Sequence, residues 1–270
     1  MENKTAVITG ATSGIGAAYA HKFGELGYDL VITGRRKEAI EKVAALIREK
    51  YHVRVEVILS ELSQAEGVSK VTESIKGKKI EVLVNNAGFG AAGLYQRSDL
   101  TVMEELANVN VAAPLKLIHA VLPGMVERGS GTIINISSEG VFMIVPGNAV
   151  YSGVKAFLKI FTEGLHMDLM GTGVKVMAVC PGLTHTDFHE KMGMEKERQV
   201  DRGPVKWMSP EEVVNLSLKD LEKGRIISIP GLHTKMLTRF LGVIPRKGYY
   251  KFMYGFSQKN FKRKTEQVKK

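Results

Sequence analysis

Short apolar runs rich in valine and isoleucine alternate with stretches of helical periodicity along most of the chain. The runs are Thr5–Thr9, Asp29–Thr33, Val53–Leu59, Val82–Val84, Thr132–Ile136, Val174–Val179 and Ile226–Ile229. Most are apolar on both faces, the pattern of strands in a parallel sheet covered by helices on each side. Helical patterns fall between them near 14–26, 36–50, 64–76, 99–128, 150–170 and 210–222. This repeated alternation predicts an α/β, doubly wound parallel sheet of about seven strands with helices on both faces. The right-handed crossover rule then fixes most of the topology. One helix start is legible residue by residue: Ser209 offers a capping hydroxyl, Pro210 suits the first helical position, and Glu211 and Glu212 meet the positive dipole end. No repeat or Pro/Ser-rich linker interrupts the pattern, so residues 1–231 read as one domain and 232–270 as a helical C-terminal extension.

Composition narrows the class. The 270 residues are 44% hydrophobic and 24% charged, which excludes a disordered chain and is enough for one large core without staples. The single cysteine, Cys180, has no intramolecular disulfide partner and ends an apolar run, so a buried thiol is expected. No stretch approaches 18 uninterrupted apolar residues, and Met1–Thr5 runs straight into a strand pattern, leaving no room for a signal peptide. A cytoplasmic location is the resulting expectation. The net charge of +10 belongs to the tail, where residues 232–270 hold eleven Lys/Arg and one acid, Glu266.

The candidate chemistry begins after the first strand. Gly10, Gly14 and Gly16, with Thr12, Ser13 and Ile15 between them, form a turn that lets backbone approach a pyrophosphate at a helix N-terminus. The spacing G-x-x-x-G-x-G meets the generic dinucleotide fingerprint only in part; its place between first strand and first helix supplies the rest. At the end of the second strand an acid would bind the ribose of NAD, whereas arginine suits the 2′-phosphate of NADP. The sequence there is Thr33-Gly34-Arg35-Arg36-Lys37, with no carboxylate before Glu38. Arg35 and Arg36 therefore favour NADP(H).

Further motifs, in order, resemble the short-chain dehydrogenase/reductase family over residues 5–230, and with it a Rossmann-type sheet. Asn85-Asn86-Ala87-Gly88 looks like the family's N-N-A-G, and Tyr151-Ser152-Gly153-Val154-Lys155 like its Y-x-x-x-K. Asn110 matches the helical asparagine of the catalytic tetrad. Ser138, thirteen residues before Tyr151, matches the active serine, with the adjacent Ser137 as runner-up. Pro181-Gly182, with Thr184 and Thr186, resembles the segment that meets the nicotinamide carboxamide. The third strand ends in Ser60-Glu61-Leu62 where the family has aspartate before an apolar residue, which puts the adenine contact of Glu61 and Leu62 in question.

The resemblance implies a role for each residue. Tyr151 is the acid/base, Ser138 holds the substrate carbonyl, Lys155 binds the nicotinamide ribose, and Asn110 holds a proton-relay water. Tyr151 and Lys155 stand four apart and so share a helix face. An ammonium there is expected to lower a phenol whose ordinary pKa is about 10. His185 and His189, also four apart, lack a clear third ligand, so no metal is expected.

Apolar residues flank this centre at Gly90–Leu94, at Val141–Val145, and in 183–208, where Phe188, Met192, Met194, Trp207 and Met208 suit an adaptable lid. They point to a hydrophobic ketone or aldehyde, such as a 3-oxoacyl thioester or a steroid-like ring, or alternatively to simple packing of lid and subunit surface. In the tail, Met236, Leu237, Phe240 and Leu241 have helical spacing, Pro245 breaks it, and Tyr249, Tyr250, Phe252, Met253, Tyr254, Phe256 and Phe261 follow amid lysines. These aromatics either pack on the domain, cover the substrate cleft, or dock on an anionic membrane, an acidic carrier or CoA phosphates. Nothing resembles a nucleic-acid-binding module. The reading is an NADP(H)-dependent carbonyl reductase, a homo-oligomer by resemblance. Its rivals are an NAD-dependent alcohol dehydrogenase and a non-catalytic nucleotide-sensing scaffold.

Overall fold

The valine- and isoleucine-rich runs become β1 (Thr5–Thr9), β2 (Asp29–Gly34), β3 (Val55–Leu59), β4 (Ile80–Asn85), β5 (Gly131–Ile136), β6 (Val174–Val179) and β7 (Ile227–Ser228). They are drawn from a computed structural model that describes residues 4–192, 197, 199–201, 203 and 206–255. All pair in parallel in the order β3-β2-β1-β4-β5-β6-β7. The helices are α1 (Gly14–Glu25), α2 (Lys37–Tyr51), α3 (Ala65–Ile75), α4 (Leu100–Ala107), α5 (Ala113–Glu127), α6 (Ala149–Asp168), α7 (Asp187–Lys191), α8 (Pro210–Glu222) and α9 (Leu232–Val243). Residues 246–255 are also helical. The sheet is Rossmann-type, as the alternation predicts.

Strand alternation divides the core into two layers. Ala6, Ile8, Leu30, Ile32 and Ile134 meet Tyr19 and Phe23 of α1, Ile40 and Ile47 of α2, and Val213 and Val214 of α8. Val7, Val31, Leu83, Ile133 and Val176 turn the other way onto Val68 and Val71 of α3, Leu117 and Val121 of α5, and Leu165 of α6. Each large aliphatic side chain removed from water contributes about 1.5–3 kcal/mol, which is why strands apolar on both faces settle only here.

Two elements differ from expectation. The last strand is only two residues long, since only Ala178 and Val179 of β6 have partners on it. The helix expected over 99–128 is broken by a π turn at Asn108–Ala112. The whole segment Leu100–Glu127 is long and apolar enough to cross a membrane, yet Leu106, Leu117 and Val121 are buried in this domain. Helix α8 starts where predicted: Glu212 N donates to Ser209 Oγ at 3.1 Å and Ser209 N to Glu212 Oε2 at 2.8 Å, a reciprocal capping box.

β1 pairs with β2 on one side and β4 on the other, so the winding reverses there and opens a crevice beyond the strands' carboxyl ends. The extension lies against that end of the molecule. Thr234 and Thr238 of α9 are buried, and Tyr249 O–H donates to the Ile144 carbonyl at 2.8 Å.

Candidate active site

The crevice is a cavity of about 900 Å³. One wall is the glycine turn between β1 and α1. Gly10 and Gly14 take left-handed backbone, with φ 67° and 57°. A Cβ at Gly10 would stand 2.8 Å from Ala87 Cα, and one at Gly14 would stand 2.8 Å from Thr186 Cγ2. Ser13, the residue before α1, makes no side-chain cap, so the first-turn N–H groups remain available to an anion. Thr12 and Ile15 line the same wall. Gly16 does not; a Cβ there would lie 2.3 Å from Gly10 O and 2.4 Å from Asn86 Nδ2, so its job is helix-to-strand packing.

Asn86 ties this turn to β4. Its Nδ2 donates to the carbonyls of Thr9 and Gly10 at 3.0 and 3.1 Å, while Thr9 Oγ1 accepts the N–H groups of Asn86 and Ala87, both at 2.9 Å. Ala87 and Gly88 continue the cavity wall.

Both arginines after β2 reach the cavity. Arg36 Nη2 donates to Thr12 Oγ1 at 3.1 Å and Ser13 Oγ at 2.7 Å, and its Nη1 to Asp187 Oδ2 at 3.1 Å. Arg35 Nη1 donates to Glu61 Oε2 at 2.8 Å. Burial raises the Glu61 carboxyl, but the Arg35 bond, two bonds from Ser63 and the Arg35 charge together hold it below its ordinary value. Glu61 thus braces Arg35, a role that the extra methylene permits. Leu62 beside it is buried and lines the cavity.

The opposite end holds the polar cluster. A buried chain runs from Asn85 Nδ2 to Asn135 Oδ1 (2.9 Å) and from Asn135 Nδ2 to Thr162 Oγ1 (2.9 Å), fixing α6 over β4 and β5. On α6, Tyr151 and Lys155 are buried side by side, with Lys155 Nζ 5.9 Å from the Tyr151 ring centroid. Ser138 stands near enough to Tyr151 to lower its phenol, and its Oγ accepts the Gly140 N–H at 3.1 Å. Ser137 is spent otherwise, donating to the Lys155 carbonyl at 2.8 Å.

Asn110 stands behind this cluster, in the π turn and off the cavity wall. Its Nδ2 donates to Leu106 O at 2.9 Å, and its buried Oδ1 has no partner among the described residues. A Cβ on Gly88 would lie 2.8 Å from that oxygen and 3.5 Å from Lys155 Nζ, so bare backbone separates the two.

Protonation is set mainly by burial. It pushes the Tyr151 phenol up to about 12, Ser138 offsetting only part of this, with Glu139 and Cys180 raising it further. It lowers Lys155 to about 8 and raises Glu139 to about 7. The depression expected from Lys155 does not counter this; the group that lowers the phenol is Ser138. The ammonium donates to Ile136 O at 2.9 Å rather than to the phenol.

The third wall follows β6. Pro181, Gly182, Thr184 and Thr186 all face the cavity; Thr184 Oγ1 donates to Gly182 O at 2.9 Å and Thr186 Oγ1 to Thr184 O at 3.4 Å. Helix α7 then folds over the centre. The Phe188 ring lies 5.6 Å from the Tyr151 ring, and a Cβ on Gly90 would meet Met192 Sδ at 2.5 Å. His185 and His189 pack on the Trp207 ring at 5.2 and 4.9 Å, and burial, with His185, lowers His189 to about 4. That stacking packs both imidazoles into one aromatic cluster with the Trp207 ring. Met143, Val145 and Leu183 add apolar wall, while Met194 lies outside the described residues. Sequence reasoning missed Glu139, Asn148 and Asp187, which also line the cavity. No spacing marked them, because each enters through a loop or helix start.

Comparisons with known proteins agree with this arrangement. The model of the short chain dehydrogenase family matches residues 4–197. The very-long-chain 3-oxoacyl-CoA reductase of Mus musculus is 31% identical over 257 residues, 94% of this chain and 79% of that protein. An uncharacterised oxidoreductase of Staphylococcus saprophyticus is 31% identical over 85% of this chain and 95% of its own. A short-chain dehydrogenase from Sphingobium yanoikuyae, solved in complex with NADPH, is 32% identical with a TM-score of 0.79, covering 85% of this chain and 89% of that one. With glycine turn, N-N-A-G, serine, tyrosine and lysine all assembled around one cleft, this chain belongs to the short-chain dehydrogenase family of oxidoreductases.

Proposed function

We propose that the protein is a carbonyl reductase that uses NADPH to reduce a hydrophobic ketone or aldehyde. The observation that carries this reading is the cavity's polarity. Arg35 and Arg36 stand at one end, and Ser138, Tyr151 and Lys155 at the other, under the apolar lid of Phe188 and Met192. The residues fit a phosphorylated dinucleotide. The Gly10 and Gly14 backbone is held bare where a Cβ would collide, and Arg36 already lies on the turn hydroxyls of Thr12 and Ser13. Arg35, Arg36 and Ser13 would hold its phosphates; Asn86, Ala87, Gly88, Pro181, Gly182, Thr184 and Thr186 would flank its rings and riboses.

When bound, the cofactor supplies a hydride to the carbonyl carbon. The protein supplies the rest. Ser138, whose oxygen already accepts from Gly140, keeps its own proton to donate to the substrate oxygen. Tyr151 O–H transfers its proton to the same oxygen as the C=O bond becomes an alcohol, leaving a phenolate. A buried phenol with its pKa pushed to about 12 stays protonated at neutral pH, as an acid must before reaction. The cation of Lys155 then compensates the phenolate. The unpartnered Asn110 Oδ1 behind Gly88 suits the water through which a proton would return.

Phe188, Met192, Met143 and Val145 favour an apolar substrate, and among candidates a 3-oxoacyl thioester gains weight from the name of the mouse relative. The NADPH held by the Sphingobium protein supports the cofactor. The test is consumption of NADPH or NADH over a panel of 3-oxoacyl thioesters, bulky ketones and aromatic aldehydes. Turnover with NADPH supports the reading. Turnover with NADH alone assigns an NAD-dependent dehydrogenase, and binding of neither cofactor assigns a non-catalytic scaffold.

A further inference from the structure

Helix α9 is amphipathic in the wrong sense for a helix packed on a water-soluble domain. It buries two threonines, Thr234 and Thr238, against the domain. Its large apolar side chains point outward: Leu232, Met236, Phe240 and Val243 are 70%, 62%, 63% and 78% exposed. Spaced at i, i+4, i+8 and i+11, they share an arc of about 80° on the helix. A surface helix normally turns such a stripe inward. The following helix repeats the arrangement, with Tyr249 anchored on Ile144 O while Tyr250 and Phe252 face solvent.

Charge identifies what covers this face. Between Leu232 and Gly255 the chain carries Lys235, Arg239, Arg246, Lys247 and Lys251 and no acidic residue, and residues 256–270 add six more cations against one acid. A second copy placed on the same face by a twofold axis would set these cations against themselves. An acidic protein groove would match the cations and leave the aliphatic stripe uncovered. An anionic bilayer satisfies both, taking the apolar and aromatic side chains into its interface and the cations at its headgroups.

We propose that α9 and the helix over 246–255 form a docking face for an anionic lipid surface. The face backs directly onto the cleft: a Cβ on Gly182 would lie 2.6 Å from Thr234 Oγ1, and Ile144, which receives the Tyr249 hydroxyl, belongs to the loop that carries Met143 and Val145. Docking sets the cleft mouth beside the lipid, from which an apolar substrate enters. That last step rests on the carbonyl-reductase reading; the docking does not.

The experiment is sedimentation of the full chain with vesicles of phosphatidylcholine alone or with about one-third phosphatidylserine. Co-sedimentation is expected with the anionic vesicles only, and it weakens as salt rises. Met236→Ser with Phe240→Ser lowers the partition coefficient on the order of tenfold or more. Arg239→Gln with Lys247→Gln lowers it on the order of tenfold. All four side chains are exposed, so both variants keep the fold, and NADPH turnover of a short water-soluble ketone stays unchanged. Absence of anionic-vesicle binding overturns the proposal, as does binding that Met236→Ser with Phe240→Ser leaves intact. A dimer in solution that the same pair of substitutions dissociates assigns the face to a second copy instead. Turnover is read separately, so failure of docking and failure of the proposed reaction are distinguishable.

Discussion

Replacing Arg36 by alanine isolates the phosphate-recognition part of the account. A charge-assisted hydrogen bond to a phosphate oxygen is worth roughly 1.5–3 kcal/mol. Arg36 does not begin unengaged: its Nη1 holds Asp187 at 3.1 Å, in a pair with both side chains 45% exposed. Such a half-exposed pair contributes about 0–1 kcal/mol, which phosphate binding must give up. The net loss in Arg36→Ala is then about 0.5–3 kcal/mol, roughly a two- to 150-fold weaker Kd for NADPH. The bonds of Arg36 to Thr12 and Ser13 also order the turn, and their loss affects both cofactors alike. The ratio of the NADPH and NADH dissociation constants is therefore the informative quantity. Isothermal titration calorimetry of both cofactors on wild type and variant measures it. An unchanged ratio, or a wild type that prefers NADH, refutes the assignment of Arg36 to the 2′-phosphate.

Two further outcomes test the electrostatics and packing. Burial raises the Glu139 carboxyl from 4.5 to about 7, so between those pH values the folded chain keeps a proton that the unfolded chain has lost. Stability consequently falls as pH rises through that window, by up to about 3 kcal/mol. Glu139→Gln should match wild type below the window and melt higher above it in thermal unfolding against pH; a difference independent of pH contradicts this. Tyr19 O–H and Ser217 Oγ, both in the core, lie 2.5 Å apart. Ser217→Ala leaves the phenol with one partner fewer and should cost about 1–3 kcal/mol, with part recovered in the double variant that adds Tyr19→Phe. No recovery in calorimetric Tm would show that the pair is not what the serine provides.

The sheet was legible because its signal is repeated. Every strand from β1 to β6 is a Val/Ile-rich run, and burial on both faces admits few other residues. The capping of α8 was legible because Ser209 and Glu212 act through backbone groups a fixed distance away. Local breaks were not: nothing in Asn108-Val109-Asn110 distinguishes a π turn from continuous helix, yet that turn sets Asn110 behind Gly88. The motifs placed Tyr151 and Lys155 on one face but gave no measure of burial, which here raises the phenol and lowers the ammonium. The bond of Glu61 to Arg35 spans 26 residues, a pairing that no local pattern encodes. The apolar spacing of α9 predicted a helix but not its orientation, since periodicity cannot say which side faces the domain.

The central claim is that Tyr151 donates the proton during carbonyl reduction. Single-turnover reduction of the best substrate by Tyr151→Phe, with NADPH binding measured in parallel, tests it most directly. The account predicts NADPH affinity within a few fold of wild type and a reduction rate lower by about 10²–10⁴. A variant that binds NADPH normally and reduces the substrate within about tenfold of the wild-type rate would contradict it, and would assign the proton to another group in the cleft.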